Sequence, residues 1–185
     1  MSGIKKVVYY LPGRGGRLSN GLGAGLAERG LHVVGRETLG DFRQLPFTQQ
    51  VAVVAADLRD HFWHEDARVV AVSYGGYLFL HAQAELPPFP GKVLLLSPIV
   101  GEFNNDANGL GFIPPYAEKL RDLAAAGVFP TPQRAQIHVG SEDWQSHPDN
   151  VTALGQATGI EVTVVPGAGH NLGKEYVGPV LDQWL

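Results

Sequence analysis

Residues 69–76 run Val-Val-Ala-Val-Ser-Tyr-Gly-Gly, and this stretch decides the fold. Its four apolar residues in a row are typical of a strand that is buried on both faces of a parallel sheet. A helix is predicted soon afterwards, over 77–84. Ser73 therefore lies in a turn between a strand and a helix, with the small residues Ala71 and Gly75 two positions to either side.

Strand-like and helix-like segments alternate along the rest of the chain. Apolar runs predict strands at 7–11, 31–34, 69–72, 93–96, 137–139 and 162–165. Apolar residues at helical spacing lie between most of these runs, as in the series Leu18, Leu22 and Leu26. Parallel strands need crossover connections, which are right-handed and usually helical. The sequence therefore predicts an α/β protein, a three-layer sandwich in which a mostly parallel sheet of about six strands carries helices on both faces.

The length and the glycine content fit one domain of this kind. At roughly 100–200 residues per domain, we expect the 185 residues to form a single domain over 1–185. The 24 Gly and 13 Pro indicate many turns. Residues 40–46 and 101–115 depart from the alternation, and the second stretch follows a strand end directly. We predict that 101–115 is a short insertion near a functional site.

The composition excludes several kinds of site and partner. Without cysteine, the chain has no thiolate nucleophile, disulfide or Cys-ligated metal. With 14 Lys+Arg against 18 Asp+Glu and no basic block, no nucleic-acid partner is expected. No metal or other cofactor is expected either, because no closely spaced His and carboxylate set lies at the predicted strand ends apart from Asp143 and His170. The absence of a signal-peptide pattern and of a run of ~20 apolar residues predicts a cytoplasmic protein with no membrane span.

Three other turns after predicted strands carry glycines or functional side chains. Ligands of open parallel sheets bind beyond the carboxyl ends of the strands, so these turns are the places for a site. They are PGRGG at 12–16, GSEDW at 140–144 and PGAGH at 166–170. Together with the Ser73 turn, they are predicted to meet at one edge of the sheet.

The Ser73 turn resembles the nucleophile elbow of the α/β-hydrolase superfamily. The family pattern is G-x-S-x-G, and A-V-S-Y-G stands at 71–75, with alanine in place of the first glycine. Asp143 matches the position of the family's catalytic acid, and His170 follows a Gly-x-Gly segment similar to its histidine loop. The order serine, acid, histidine is also the chain order of this superfamily. The resemblance implies a catalytic triad of Ser73, Asp143 and His170.

Taken one at a time, these residues leave other interpretations open. Ser73 is also compatible with a buried serine that bonds to its own turn, and Asp143 with an ordinary turn residue. Glu142 is the second choice for the acid, whereas Asp149 is predicted to cap the helix that begins just after Pro148.

The resemblance also implies an oxyanion hole. The segment Pro12-Gly13-Arg14 is similar to the family's His-Gly-x, which makes the backbone N–H groups of Arg14 and Tyr74 the two donors. The Arg14 side chain is expected to be solvated. A phosphate-binding loop is disfavoured, because the third glycine of G-x-G-x-x-G is replaced by Leu18 and no Walker lysine follows.

The function implied is a serine hydrolase that cleaves carboxylic ester or thioester bonds of small substrates through an acyl-enzyme. A peptidase or C–C bond hydrolase on the same fold, and a catalytically silent binding protein, are the alternatives. The chain is short for the superfamily, which implies a small, open site without a large lid. Phe103, Tyr116 and Trp144 are the predicted walls of the acyl-substrate pocket.

Overall fold

The computed structural model describes residues 6–185, and a parallel sheet of six strands lies at its centre. In chain order the elements are β1 (Val7–Leu11), α1 (Gly21–Glu28), β2 (His32–Gly35), α2 (Gly40–Gln44), α3 (Phe47–His61), β3 (Arg68–Val72), α4 (Tyr74–Gln83), β4 (Lys92–Leu96), β5 (Phe103–Asn105), β6 (Leu110–Phe112), α5 (Lys119–Ala125), β7 (Arg134–Gly140), α6 (Pro148–Thr158), β8 (Glu161–Val165) and α7 (Lys174–Trp184). The strand order is β2-β1-β3-β4-β7-β8, and every neighbouring pair is parallel. The predicted fold class is therefore confirmed. Residues 1–5 of the predicted domain lie outside the described part.

Helices cover both faces of this sheet. Successive side chains of a strand point to opposite faces, so Val8 and Tyr10 of β1 belong to one core while Tyr9 and Leu11 belong to the other. The first core also contains Leu26 of α1 and residues of α7, and the second contains residues of α3, α4, α5 and α6. The six strand ends are thus held between two helical layers.

The two stretches that interrupt the predicted alternation have regular structure of their own. Residues 40–46 include the short helix α2, and the insertion at 101–115 contains the antiparallel hairpin of β5 and β6. Helix α5 begins only at Lys119, so Tyr116 precedes it. The predicted cap at Asp149 is wrong, because α6 begins at Pro148, whose missing N–H costs nothing at the first helical position.

Within residues 6–185, no helix is long and apolar enough to cross a membrane. The longest helix, α3, has 15 residues. The same part of the chain holds no group of three or more His, Asp or Glu side chains arranged to bind a metal ion.

His81 of α4 is a buried titratable group on the α3–α4 side of the sheet. Its side chain is 1% exposed, and its ring packs edge-on against Tyr77 at 4.3 Å and Phe47 at 5.0 Å between centroids. Its Nε2 has no hydrogen-bond partner among the described residues. Burial, and secondarily the charge of Lys119, lowers the pKa of His81 from 6.5 to about 4.

We expect this histidine to make the protein less stable in mild acid. Below pH 6.5 the unfolded chain binds a proton that the folded His81 does not bind until about pH 4. The free energy of unfolding therefore falls as the pH drops through this window, by up to about 3 kcal/mol for this group. Urea denaturation of the wild type and of His81→Gln at pH 7.5, 6.5, 5.5 and 4.5 should show a steeper loss in the wild type. If the free energy of unfolding fell equally with pH in the two proteins, His81 would not be the source of the acid sensitivity.

Candidate active site

Ser73 lies in a strained turn between β3 and α4. Its backbone has φ 51° and ψ −117°, a region that a non-glycine residue occupies only at an energetic cost. The neighbouring Gly75 allows the turn to pack, because a Cβ there would lie 2.1 Å from the carbonyl oxygen of Leu11. The sharp turn thereby holds the Ser73 side chain at the carboxyl edge of the sheet.

Three predicted site residues form one hydrogen-bonded chain at this edge. Ser73 Oγ lies 2.8 Å from His170 Nε2. On the other side of the imidazole, His170 Nδ1 lies 2.9 Å from Asp143 Oδ2 and 3.0 Å from Asp143 Oδ1. The Asp143 side chain is fully buried and that of His170 is 24% exposed. The structure thus brings the three together from the ends of β3, β7 and β8.

The buried Asp143 carboxylate is held by the start of the following loop. Its Oδ1 accepts backbone N–H bonds from Gln145 at 2.9 Å and Ser146 at 2.8 Å. These bonds compensate for the loss of water around a buried charge. Glu142, the alternative acid, has an exposed side chain, and its backbone N–H donates to the carbonyl of Ala168. Asp143 is therefore the carboxylate that faces the histidine.

The loop that carries His170 is tied to the Asp143 loop. The Gly167 N–H donates to Ser141 Oγ at 2.8 Å, and the Ser141 N–H donates to the Val165 carbonyl at 2.9 Å. The two backbones come so close that a Cβ at Gly140 would lie 2.1 Å from the Ala168 oxygen. The imidazole and the carboxylate are thus positioned by one connected pair of loops.

The loop after β1 passes beside Ser73. A Cβ built on Gly13 would lie 3.5 Å from the Cβ of Ser73. The backbone N–H groups of Arg14 and Tyr74, the predicted oxyanion donors, have no acceptor within residues 6–185. The Tyr74 N–H belongs to the first turn of α4, where amides lack a partner within the helix. Neither amide is therefore engaged by another group in the described part of the chain.

Thr38, which the sequence analysis missed, holds this loop in place. Its backbone pairs with the loop, from Gly15 N–H to the Thr38 carbonyl at 2.9 Å and from Thr38 N–H to the Gly16 carbonyl at 3.2 Å. Its hydroxyl accepts from Gly16 N–H at 3.1 Å and donates to the carbonyl of Gly13. Thr38 lies close after β2, at the carboxyl end of that strand, where sites of parallel sheets are located.

Solved structures with the same arrangement of strands and helices are known, although no protein-family model and no curated protein sequence matches the chain. Carboxylesterase CesB from Bacillus subtilis is 14% identical, with 97% of this chain and 83% of that chain covered and a TM-score of 0.63. MGS-MChE2, an alpha/beta hydrolase enzyme from the metagenome of Mar Chica lagoon sediments, is 17% identical, with coverages of 98% and 91% and a TM-score of 0.65. The chain has the α/β-hydrolase fold. The ydeN gene product of B. subtilis is nearly the same length, with 97% of this chain and 98% of that chain covered at 15% identity and a TM-score of 0.65.

Two of the three aromatic residues predicted to line the substrate pocket pack against each other in this α/β-hydrolase fold. The Phe103 ring lies 5.8 Å from Trp144 and 5.6 Å from Phe112, measured between ring centroids. Tyr116 is 60% exposed and stacks on Phe47 at 6.1 Å instead. The turn that carries Tyr116 is held against α4 by the bond from Tyr77 Oη to the Pro115 carbonyl, and the place of Tyr116 in a substrate pocket stays a prediction.

The Arg14 side chain is exposed, as expected, and its guanidinium also lies over two aromatic rings. Its guanidinium carbon lies 5.3 Å from the ring centroid of Tyr74 and 5.1 Å from that of Phe112. Cations are attracted to the faces of aromatic rings at such distances. Phe112 belongs to β6, so the inserted hairpin reaches the edge of the site through this contact.

Two cavities lie near this end of the molecule. The larger, about 530 Å³, is lined by residues of α5, α6 and the segment 100–104, and none of the Ser73, Asp143 and His170 side chains borders it. The smaller, about 90 Å³, is lined by Arg14 and Tyr74. It is the smaller cavity that adjoins the predicted oxyanion donors. Burial raises the pKa of the Tyr74 phenol, while the Arg14 charge acts in the opposite direction.

Proposed function

We propose that the protein is a serine hydrolase that cleaves carboxylic ester or thioester bonds of small substrates. The observation that carries this proposal is the continuous contact from Ser73 Oγ through the His170 ring to the buried Asp143 carboxylate, with heavy-atom distances of 2.8 and 2.9 Å. A nucleophile, a base in hydrogen-bond reach and a group that orients the base are the parts that acyl transfer requires. The descriptions of CesB as a carboxylesterase and of MGS-MChE2 as a hydrolase support the same reaction class.

In the first half of the proposed reaction, Ser73 Oγ attacks the substrate carbonyl carbon while its proton passes to His170 Nε2. Asp143 accepts the Nδ1–H bond and stabilises the positive imidazolium. The negative charge that forms on the carbonyl oxygen accepts N–H bonds from Arg14 and Tyr74, each contributing about 3 kcal/mol. His170 then protonates the leaving alcohol or thiol, and Ser73 retains the acyl group.

In the second half, water releases the acid. His170 takes a proton from the water as its oxygen attacks the acyl carbonyl, and the same two amides stabilise the second oxyanion. Collapse of this intermediate returns the proton to Ser73 Oγ and frees the carboxylic acid. The sequence of steps uses only side chains and amides of this chain, together with water.

The activity is tested with a series of p-nitrophenyl esters of acetate, butyrate and octanoate, and with the matching thioesters. We expect saturable release of p-nitrophenol and of thiol, with short acyl chains preferred because the hairpin residue Phe112 lies close to the site. Hydrolysis of p-nitroanilide peptides in preference to esters would indicate a peptidase. Absence of turnover on the whole series would support a silent binding protein and contradict the proposal.

Thr38→Val is expected to lower kcat by about tenfold or more, with a smaller change in KM, because it removes the hydroxyl that bonds to both Gly13 and Gly16. The loop amide of Arg14 then loses its fixed position relative to the oxyanion. Thr38→Ser keeps the hydroxyl and should restore most of the kcat. Steady-state kinetics on one ester for the three proteins measures the changes in kcat and KM separately. Equal kcat values in the wild type and Thr38→Val would show that Thr38 does not position the loop.

A further inference from the structure

The small cavity of about 90 Å³ lies on one side of the nucleophile. Gly13 and Ser73 pack closely against each other. The residues that follow them in the chain, Arg14 and Tyr74, both line the cavity. The other four come from the region after β2 and from α2 and α3, and they are Thr38, Phe42, Arg43 and Gln50. A group attached to a substrate carbonyl at Ser73 can therefore reach this cavity over a short distance.

The neutral polar side chains of the cavity are already engaged with the protein. Gln50 is 5% exposed, and its Nε2 lies within 3.0–3.2 Å of three carbonyl oxygens of residues 42, 43 and 45. Its Oε1 accepts the Tyr74 hydroxyl at 2.7 Å. The Thr38 hydroxyl donates to the Gly13 carbonyl. None of these three residues has a side-chain donor left for a ligand.

The two charged residues that line the cavity are Arg14 and Arg43. Neither Arg14 nor Arg43 forms an ion pair with any residue of the described range 6–185. Glu37 accepts the backbone N–H of Leu18 at 3.1 Å, and Asp41 forms no ion pair within residues 6–185. Guanidinium groups present several N–H donors and match the geometry of carboxylates.

The position of the cavity determines which part of a substrate it can hold. In the sheet order β2-β1-β3-β4-β7-β8, His170 follows β8 at one edge, whereas the cavity lies near β1 and β2 at the other. The leaving group must lie on the side of His170, which protonates it. The group that enters the cavity therefore belongs to the acyl part.

We propose that the cavity lined by Arg14 and Arg43 binds a carboxylate at the far end of the acyl chain, so that the preferred substrates are half-esters or half-thioesters of short dicarboxylic acids. This inference rests on the proposed hydrolase function. The Arg14 guanidinium, in contact with the rings of Tyr74 and Phe112, supplies one cation of this subsite, and the exposed Arg43 supplies the second.

The substrate preference is tested by following hydrolysis of two ethyl esters of equal size in a pH-stat. Ethyl hydrogen glutarate carries the carboxylate, and ethyl 5-oxohexanoate is its neutral counterpart. We expect the wild type to favour the charged ester in kcat/KM, and Arg43→Gln to reduce this charged-to-neutral ratio by about tenfold. Arg17→Gln, which removes the same charge from an exposed residue outside the cavity, should leave the ratio unchanged. Equal ratios in the wild type and Arg43→Gln, or an equal loss in Arg17→Gln, would overturn the subsite.

A binding measurement separates this inference from the proposed function. Titration calorimetry of glutarate into Ser73→Ala, and into the same variant carrying Arg43→Gln, needs no turnover. Binding of glutarate that weakens about tenfold in the second protein supports the subsite, even if no ester is hydrolysed and the proposed function fails. Hydrolysis of neutral esters without Arg43-dependent binding of glutarate would overturn the subsite and leave the hydrolase function standing.

Discussion

We expect Ser73→Ala to abolish hydrolysis of p-nitrophenyl esters, lowering kcat by more than about 10⁴-fold, because it removes the oxygen proposed to attack the substrate. His170 Nε2 lies 2.8 Å from Ser73 Oγ, so the substitution removes the proposed nucleophile and leaves the proposed base in place. The side chain changes by a single oxygen atom. Far-UV circular dichroism and the thermal midpoint should therefore remain close to the wild-type values.

Ser97→Ala is the matched control for this substitution. Ser97 also follows a strand of the sheet, has a positive φ of 45°, is 1% exposed, and its Oγ has no hydrogen-bond partner among the described residues. We expect this variant to keep wild-type kcat. Wild-type activity in Ser73→Ala would remove Ser73 from the mechanism, and equal loss in both variants would point to a general disturbance of the strand ends.

Gly75→Ala is expected to produce the largest loss of stability among the substitutions considered. A Cβ at this position would lie 2.1 Å from the carbonyl oxygen of Leu11 and 2.6 Å from that of Pro12. Both atoms belong to the backbone of β1 and its loop, so neither can move aside cheaply. We expect the free energy of unfolding to fall by about 3 kcal/mol, the upper end of ordinary overpacking costs. Urea denaturation followed by circular dichroism measures this change.

Gly25→Ala makes the same chemical change but is expected to stabilise the protein. Gly25 lies inside α1, and an added Cβ would meet only the flexible end of Arg29, at 3.6 Å. Because alanine favours the helical backbone more than glycine, we expect a gain of up to about 1 kcal/mol. A gain or no change in Gly75→Ala would show that α4 does not pack against the end of β1 as closely as described.

The central sheet and the three main loops of the site were predictable because their signals are local. A run such as 69–72, buried on both faces, has no polar residue to suggest another role. The turns that carry Ser73, Asp143 and His170 each follow such a run, and parallel strands place their carboxyl ends together. Their positions after strands of one parallel sheet, together with the resemblance to the α/β-hydrolase superfamily, were the basis for predicting that these residues meet.

Other features depend on contacts between distant segments and left no local pattern. Thr38 forms four hydrogen bonds to a loop more than twenty residues earlier in the chain. A single threonine in the sequence does not indicate such contacts. The stacking of Arg14 against Phe112 requires the hairpin of the insertion, whose strands have three residues each. Tyr116 lies three residues before α5, and its ring stacks on Phe47 of α3, a contact between segments far apart in the chain.

The most direct test of the proposed function is covalent labelling of Ser73 by a fluorophosphonate. The probe requires a serine activated by a neighbouring base, and it needs no knowledge of the natural substrate. We expect one probe molecule per protein chain, located by mass spectrometry on the peptide that contains Ser73, and no labelling of Ser73→Ala. A wild-type protein that remains unlabelled, or a label that persists in Ser73→Ala, would contradict the assignment of Ser73 as the nucleophile.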